Sequence, residues 1–318
     1  MLIVIAYAAS DDRKLWQPRG SVVTMKSPYI IIPTVIGLYM VTASDDWTYS
    51  GEHGPTHWPG ICTTGTKQSP INIVTADAVK ADLDQLKFIT YDQPVHAKVI
   101  NNGHSVQVRL LNAALHLKGG NLSSTYTLDQ MHFHWPAEHT VDNNRDALEL
   151  HFVHYDARYD NVTVASQHEN GIAVVATLFQ LSDEENLDLI PVIKETEVVS
   201  NWLEEKSGMI SQVVPYLFLP KSHTYYRYEG SLTTPGCQES VIWYIFAEKL
   251  PISEEQIDTF KHVKTSNGTL DFNYRPTQAI GERTVYKHLD EYSGATLLAP
   301  NLLCTLLSCV LIRVLYFT

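Results

Sequence analysis

Two short segments of the sequence bring imidazole and carboxylate side chains together. The stretch Gln130–Tyr155 contains His132 and His134, two residues apart, and then Glu149 and His151, also two residues apart. Neutral imidazole is a common zinc ligand, and three protein ligands with one position left open make up a catalytic zinc site. The spacing therefore indicates a metal centre, with a polar surface loop as the alternative interpretation.

The residues around these histidines predict two strands. Alternate side chains of a strand lie on opposite faces, so His132 and His134 share one face, and Glu149 and His151 share a face of the second strand. Neighbouring strands would bring the three imidazoles together. Gln130 and Glu149 would then accept hydrogen bonds from their outer N–H groups. An isolated H-x-H motif in a strand more often contains structural histidines than metal ligands. With the added E-x-H motif, the metal site and the structural interpretation become about equally favoured.

The elements that would carry these residues are mostly strands. The segments SVQVRLL, MHFHW, LELHFVH, GIAVVATLF and SVIWYIFAE are rich in β-branched and aromatic residues and are separated by Gly, Pro and Asn. Helical character is limited to 182–193 and 252–263, where acidic residues occupy the first turn. We predict a mainly β (α+β) single domain at 45–292, built on a large, mostly antiparallel, twisted central sheet with short peripheral helices.

Composition and charge narrow the class of protein. The 318 residues are 44% hydrophobic and 18% charged, which is enough for a large buried core. The net charge of -12 comes without a basic cluster, which argues against a nucleic-acid partner. The protease motif H-E-x-x-H is absent, and four separated cysteines do not make a thiolate zinc site.

The first 44 residues are predicted to be a leader. Within 25–43, Lys26 precedes the apolar run Tyr29–Val41, and small residues follow it, as in a secretory signal peptide. The run is short for a membrane span, and Pro33 suits a cleaved signal better than the alternative, a signal-anchor helix. Residues 1–24 lie upstream of this signal and are excluded from fold reasoning.

The last segment, 293–318, is predicted to direct attachment of a glycosylphosphatidylinositol (GPI) anchor. Small residues beginning at Ser293 precede a short spacer and an apolar tail from Leu302 onward. A transmembrane helix is the alternative, although it would place Arg313 inside the bilayer. A buried C-terminal helix is the third interpretation.

Cysteines and glycosylation motifs agree with an extracellular location. Cys62 and Cys237 lie in the polar body of the chain, and an oxidising compartment favours joining them. Cys304 and Cys309 lie in the tail. Three Asn-X-Ser/Thr motifs are candidate glycosylation sites: Asn121, Asn161 and Asn267.

The order of several motifs resembles one enzyme family. WTYSGEHGPTHWP, QSPINI, NNGHSVQV, MHFHW, AEHTVD, ELHFVH, GSLTTPGC and NYRP occur in the order found in the alpha-class carbonic anhydrases, across almost the whole predicted domain. The chain is most similar to the secreted or membrane-anchored members, whose disulfide positions match Cys62 and Cys237. The resemblance implies zinc-dependent, reversible hydration of carbon dioxide to bicarbonate and a proton, with sulfonamide and anion inhibitors.

The resemblance also implies roles for individual residues. The implied zinc ligands are His132, His134 and His151. Their outer-shell partners would be Gln130, Glu149 and the Asn273 backbone. Thr233 would accept a hydrogen bond from zinc-bound hydroxide and donate its own proton to Glu138. The apolar pocket for carbon dioxide would be lined by Val153, Val174, Leu232, Thr234 and Trp243.

Proton exit would use a further histidine. His104 follows an Asn-Asn-Gly turn and matches the family's shuttle position, and an ordinary histidine pKa suits proton transfer near neutral pH. The residues implied to order the connecting waters are Tyr49, Asn102 and Gln107.

Three features differ from the usual family pattern. Strict strand alternation would put the His104 side chain on the same face as Val106 and away from Gln107. That His104 points towards the metal site is therefore implied by the resemblance and by irregular backbone after the turn. Gly236 stands where a proline is common, and the segment around 136–137 is shorter than in typical animal enzymes. These differences bear on rate and on the shape of the rim rather than on the metal.

Two other classes of function are compatible with parts of the sequence. A catalytically weak, anhydrase-like extracellular binding or adhesion domain would lack zinc histidines, whereas all three are present. A structural zinc domain would need a fourth protein ligand, and the matched motifs contain no candidate for one.

Overall fold

A sheet of thirteen strands forms the framework of the computed structural model, which describes residues 47–201 and 207–290. The strands of the described residues are β1 Asn72–Ile73, β2 Val79–Lys80, β3 Lys87–Ile89, β4 Val95–Asn101, β5 Val106–Leu111, β6 His116–Lys118, β7 Tyr126–His134, β8 Thr140–Val141, β9 Asn144–Arg145, β10 Leu148–Asp156, β11 Ile172–Leu181, β12 Ser207–Val213, β13 Tyr225–Gly230, β14 Val241–Phe246, β15 Leu250–Ile252, β16 Lys264–Thr265, β17 Gly268–Thr269 and β18 Tyr286–His288. The α-helices are α1 Ile61–Thr64, α2 Val162–Ala165, α3 Ile190–Val199 and α4 Glu254–Lys261. Short 3-10 helices cover Gly51–His53, Pro55–His57, Leu187–Leu189 and Pro215–Phe218.

The main sheet is mixed but mostly antiparallel. Its strands follow the order β12-β4-β5-β7-β10-β11-β14-β13-β18-β2, while β6 pairs with β7 and with β3, and β15 pairs with β11. Along the main path the parallel junctions are β11 with β14 and β18 with β2. Because the strands dominate and the helices are short, the predicted mainly β fold with a large central sheet is confirmed.

Both faces of the sheet's centre are covered. In β10, Leu150 and Phe152 point into one apolar cluster, while Val153 belongs to a second cluster on the other face. The second cluster also contains Val174 and Trp243. Since alternate residues of a strand separate in this way, the central strands are buried along their length, and polar residues among them require partners.

The helix predicted over 252–263 is present as α4. Ser253 accepts a hydrogen bond from the Gln256 backbone, and the Gln256 side chain accepts one from the Ser253 backbone, forming a capping box. Ile257 and Phe260 are buried on one side of the helix, next to the acidic residues Glu254 and Glu255 of its first turn. The acidic first turn is favourable at a helix N-terminus.

The helix predicted over 182–193 was wrong at both ends. The Asn186 side chain accepts hydrogen bonds from the Asp188 and Leu189 backbone, so a 3-10 turn begins only after it. The α-helix then runs over Ile190–Val199, with Pro191 in its first turn, where a missing N–H is tolerated. The local competition by Asn186 explains why the acidic segment before it is not helical.

The predicted disulfide is present between Cys62 and Cys237, with 5.1 Å between the Cα atoms. It lies in a group of polar residues around the buried guanidinium of Arg275. The Arg275 guanidinium donates to the carbonyl oxygens of Cys62 and Ser69 at 2.8 Å, and Gln68 Nε2 donates to the Cys237 carbonyl at 3.2 Å. The N-terminal part of the chain is thus tied to the loop that contains Thr233.

The predicted leader 1–44, Ser293 and the tail 293–318 lie outside the described residues. Within 47–201 and 207–290, each helix is too short or too polar to cross a membrane.

Candidate active site

Antiparallel pairing of β7 with β10 brings three histidines together. In the register, His132 lies opposite His151, and His134 lies opposite Glu149. The ring centroid of His132 lies 4.9 Å from that of His134 and 5.0 Å from that of His151. The centroids of His134 and His151 are 4.6 Å apart. One nitrogen of each ring lies within 4.8 Å of the others.

Hydrogen bonds fix the outer nitrogens of the two histidines on β7. His132 Nδ1 lies 3.0 Å from Gln130 Oε1, and His134 Nδ1 lies 2.6 Å from the carbonyl oxygen of Asn273. Because both partners are oxygen acceptors, each Nδ1 carries the proton. The Nε2 lone pairs therefore point inward, towards His151.

The third histidine uses the opposite nitrogen. His151 Nε2 lies 2.7 Å from Glu149 Oε1, which leaves Nδ1 as the inward atom, 3.2 Å from His132 Nε2. His134 Nε2 is buried and has no hydrogen-bond partner among the described residues. Three lone pairs thus converge without a proton between them, and a cation would satisfy all three. The donor set fits Zn²⁺, which prefers neutral imidazole nitrogen and tetrahedral ligation.

Burial keeps these rings neutral. Loss of solvent lowers the pKa of His134 to about 4, and it lowers the pKa of His132 and His151 as well. Neighbouring imidazoles lower the pKa of His132 further. Since a metal ligand must be unprotonated, the pocket is prepared to bind a cation at neutral pH.

Glu149 is held by four hydrogen bonds. Its Oε2 accepts from the backbone N–H groups of Glu138 and His139 at 2.8 Å, and its Oε1 lies 2.7 Å from the ring nitrogens of His139 and His151. Burial acts to raise the pKa of this carboxyl, but the two histidines and their hydrogen bonds outweigh it, so the pKa lies well below its usual range. An ionised, immobile carboxylate therefore orients His151.

The hydrogen bonds continue beyond Glu149 through residues that the sequence analysis missed. His139 Nε2 lies 2.7 Å from the Tyr228 hydroxyl, which lies 2.8 Å from Ser69 Oγ. Ser69 Oγ also accepts from the Ser231 backbone N–H at 3.0 Å. His139 stands beside Glu138 in AEHTVD, a signal that could have found it, whereas the Tyr228 and Ser69 contacts are set by tertiary structure. His139, Glu149 and His151 also form a possible ligand group, but their ligand atoms are already hydrogen-bonded to one another.

Glu138 lies beside the triad and is fully buried. Its Oε1 accepts from the Arg275 backbone N–H at 2.8 Å, and its Oε2 lies 3.5 Å from His134 Nε2. Burial raises the pKa of Glu138 to about 7, opposed by His151, the Arg275 N–H and the Thr233 hydroxyl. Thr233 is itself buried, so the two side chains meet in a pocket shielded from solvent.

The loop after Thr233 is shaped by a glycine. Leu232 N–H donates to the Gln238 carbonyl at 3.0 Å, and Cys237 N–H donates to the Thr234 carbonyl at 2.9 Å. Gly236 has a φ of +100°, which proline cannot adopt. The glycine in place of the common proline therefore belongs to a turn closed by hydrogen bonds.

An apolar wall stands next to the histidines. Val153 lies opposite Val174 in the register of β10 with β11, and Val174 lies opposite Trp243 in that of β11 with β14. The Trp243 ring is 4.9 Å from that of His151, and its Nε1 donates to the Ser231 carbonyl at 3.1 Å. Leu232 packs against the same cluster, and Thr234 is half-buried beside Thr233.

His104 lies at the edge of this centre. Its ring stacks on that of Trp47, with 3.7 Å between the centroids, and its backbone N–H donates to Asn102 Oδ1 at 3.0 Å. His104 itself lies in the turn between β4 and β5, directly after Gly103 with its φ of +85°, so strand parity does not govern its direction. Tyr49 lies with His104 and Asn102 along one groove. Of the residues implied to order water, Gln107 does not line this groove; it lies opposite His132 in the register of β5 with β7.

A mainly β domain in which three imidazoles, two buried and one half-buried, converge beside an apolar wall defines a candidate histidine metal enzyme. Comparison with known proteins identifies its family. Residues 53–289 match eukaryotic-type carbonic anhydrase. The chain therefore belongs to the eukaryotic-type carbonic anhydrase family, whose members are carbonate dehydratases, and it is an enzyme of that class.

Individual relatives agree over most of the chain. Carbonic anhydrase 4 of Rattus norvegicus is 32% identical over 81% of this chain and 86% of its own length. Putative carbonic anhydrase 3 of Caenorhabditis elegans is 34% identical over 75% of this chain and 96% of its own length. Carbonic anhydrase 6 of Mus musculus is 30% identical over 85% of this chain and 91% of its own length.

We predict that Glu149→Gln weakens zinc binding by about 10–100-fold, the usual effect of losing an outer-shell partner. The amide has one acceptor oxygen in place of two, so it cannot accept all four of the hydrogen bonds made to Glu149. Competition with a chromogenic chelator measures the zinc dissociation constant. Glu169→Gln, at an exposed carboxylate, is the matched control. An unchanged dissociation constant in Glu149→Gln would contradict the orienting role.

Proposed function

We propose that this protein catalyses the reversible hydration of carbon dioxide to bicarbonate and a proton, with Zn²⁺ bound by His132, His134 and His151. The single observation that carries the proposal is the convergence of three unprotonated ring nitrogens next to an apolar wall. Membership of the carbonic anhydrase family supports the reaction, and the donor set supports the metal.

Zinc would supply one chemical property. When bound with one position open, it lowers the pKa of a coordinated water so that a nucleophile is available at neutral pH, an effect for which carbonic anhydrases are the established example. The described residues of the matched motifs leave that position open.

Thr233 and Glu138 would orient the nucleophile. An ionised Glu138 can only accept, so the Thr233 hydroxyl donates to it and has only lone pairs left to offer the nucleophile. The Arg275 backbone N–H holds Glu138 in place. The proposed consequence is that the nucleophile donates to Thr233 and directs a lone pair towards carbon dioxide, an orientation that removes part of the entropic barrier.

The apolar wall would receive carbon dioxide. The gas has no net dipole and gains little from hydrogen bonds, so it is favoured where water is displaced from apolar surface. Val153, Val174, Leu232 and Trp243 supply such a surface beside the triad. Bicarbonate is an anion and fits this surface poorly, which favours its release.

His104 would carry the proton away. Each hydration releases one proton, and an imidazole can accept it from water and pass it to an acceptor in solution. The stack on Trp47 holds the ring at the groove that also contains Tyr49 and Asn102. This position supports transfer between the centre and the solvent.

We further propose that the mature enzyme is the domain 45–292, delivered outside the cell by the signal at 25–43 and attached to the membrane by a GPI anchor near Ser293. The disulfide between Cys62 and Cys237 supports an oxidising compartment. The apolar end of the sequence supports the anchor.

The purified, zinc-loaded protein is expected to hydrate carbon dioxide and to be inhibited by a sulfonamide. His151→Ala removes one ligand and its inward lone pair, so turnover should fall to the uncatalysed background and zinc content should fall with it. Stopped-flow indicator assays and elemental analysis measure the two. His262→Ala, at an exposed histidine, is the control. Full turnover by a verified zinc-free protein would refute the proposal.

His104→Ala is expected to slow turnover at low buffer concentration while leaving kcat/KM for carbon dioxide almost unchanged, because only proton exit is lost. Excess imidazole should restore part of the rate by accepting the proton directly. Turnover equal to that of the parent protein at low buffer would show that another group carries the proton.

Treating intact animal cells that express the full-length chain with phosphatidylinositol-specific phospholipase C is expected to release active enzyme that lacks the 302–318 peptide. Activity that stays on the membrane, with that peptide detected by mass spectrometry, would show a retained helix. Active enzyme found only in untreated medium would show secretion without an anchor.

A further inference from the structure

A groove of about 350 Å³ lies beside His104. It is lined by residues 47–50 with Asn102, Gly103 and His104, and by a second group made of Thr265 to Asn267 and residues 269–272. None of the three metal-site histidines lines it. The groove is therefore a separate space that adjoins the proposed proton exit.

The second group of lining residues contains a glycosylation motif at the tip of a hairpin. Strands β16 and β17 form a hairpin in which Thr265 pairs with Gly268, so Asn267 lies in a two-residue turn. Asn267, Gly268 and Thr269 are all exposed. They form the motif Asn-Gly-Thr, whose asparagine lines the groove.

The hairpin turn is held by its own hydrogen bonds. The Asn267 backbone N–H donates to Thr265 Oγ1 at 3.0 Å, and that hydroxyl donates to the Gly268 carbonyl at 3.2 Å. Gly268 has a φ of +125°, which a residue with a Cβ rarely adopts. A substituent on Asn267 is thus presented at a defined place on the rim.

The other two motifs lie elsewhere. Asn161 caps α2, with Oδ1 accepting from the Val164 N–H at 3.0 Å, and Asn121 follows the glycine turn before β7. Both are exposed, and neither lines the groove. They provide internal controls for a glycan that has no access to His104.

We propose that Asn267 carries an N-linked glycan that covers the groove and restricts which bases reach His104. The inference rests on the proposed function, because His104 must pass the proton outward. In that step the His104 imidazolium loses one N–H proton to the lone pair of the acceptor, which becomes its conjugate acid. A large acceptor has to pass the sugars, whereas imidazole is small enough to pass beside them.

The glycan would not affect carbon dioxide itself. The apolar wall next to the triad contains no residue of the groove. The glycan is therefore expected to change the rate at which large buffers accept protons and to leave kcat/KM for carbon dioxide unchanged.

The test uses the full-length chain made in animal cells that attach N-glycans. Asn267→Gln and Thr269→Ala each remove the motif, while Thr269→Ser keeps it and controls for the change at Thr269. Asn121→Gln and Asn161→Gln remove a motif elsewhere. Peptide-N-glycosidase treatment with mass spectrometry measures occupancy, and stopped-flow turnover is measured against rising imidazole and against a bulky zwitterionic sulfonate buffer.

Asn267→Gln and Thr269→Ala should lose one glycan and increase the rate constant for proton transfer to the bulky buffer by about tenfold, within the range by which altered access changes association rates. The imidazole rate, Thr269→Ser and the other two variants should match the parent. An unmodified Asn267, or a glycan whose removal leaves the bulky-buffer rate unchanged, would overturn this inference and leave the proposed function standing. Absence of carbon dioxide hydration in every form, at high imidazole, would overturn the proposed function and this inference with it.

Discussion

The arrangement of the domain depends on holding three neutral imidazoles, two of them buried and His132 half-buried, so that their inward lone pairs face one another. This arrangement is unfavourable by itself, since within 47–201 and 207–290 His134 Nε2 has no hydrogen-bond partner, and His132 Nε2 and His151 Nδ1 lie 3.2 Å apart with no proton between them. Buried polar atoms left unpaired cost free energy. The surrounding structure must therefore hold each ring from outside, and binding of a cation would recover part of that cost.

The outer supports come from distant parts of the chain. The Asn273 carbonyl accepts from His134, while the Asn273 side chain accepts from the Trp135 N–H at 2.7 Å and donates to the Phe133 and His104 carbonyls. One asparagine thus connects β7, the turn at His104 and the segment after β17. Glu149 does the same for His151 through His139 and Tyr228. Rigidity at the centre follows from these shared partners, because no ring can rotate without breaking a buried hydrogen bond.

The reacting side and the proton exit side are built differently. The Thr233 loop is held by the buried disulfide, by the buried Arg275 and by the turn at Gly236. The groove at His104 is instead formed by a ring stack and an exposed hairpin. Chemistry needs fixed orientation and little water, whereas proton exit needs contact with solvent. The difference in burial fits the two roles proposed for these regions.

Local patterns in the sequence determined the strand content, the capping box of α4, and the common face of His132 and His134, because strand alternation and capping act over a few residues. The ordered motifs identified the family. Only the tertiary structure decided which nitrogen of each ring points inward, since Asn273 reaches His134 from 139 residues away. It likewise decided the joining of His139 to Tyr228 and the stacking of His104 on Trp47. These features depend on contacts between segments far apart in the chain, and a local pattern contains no information about which distant group will supply the partner.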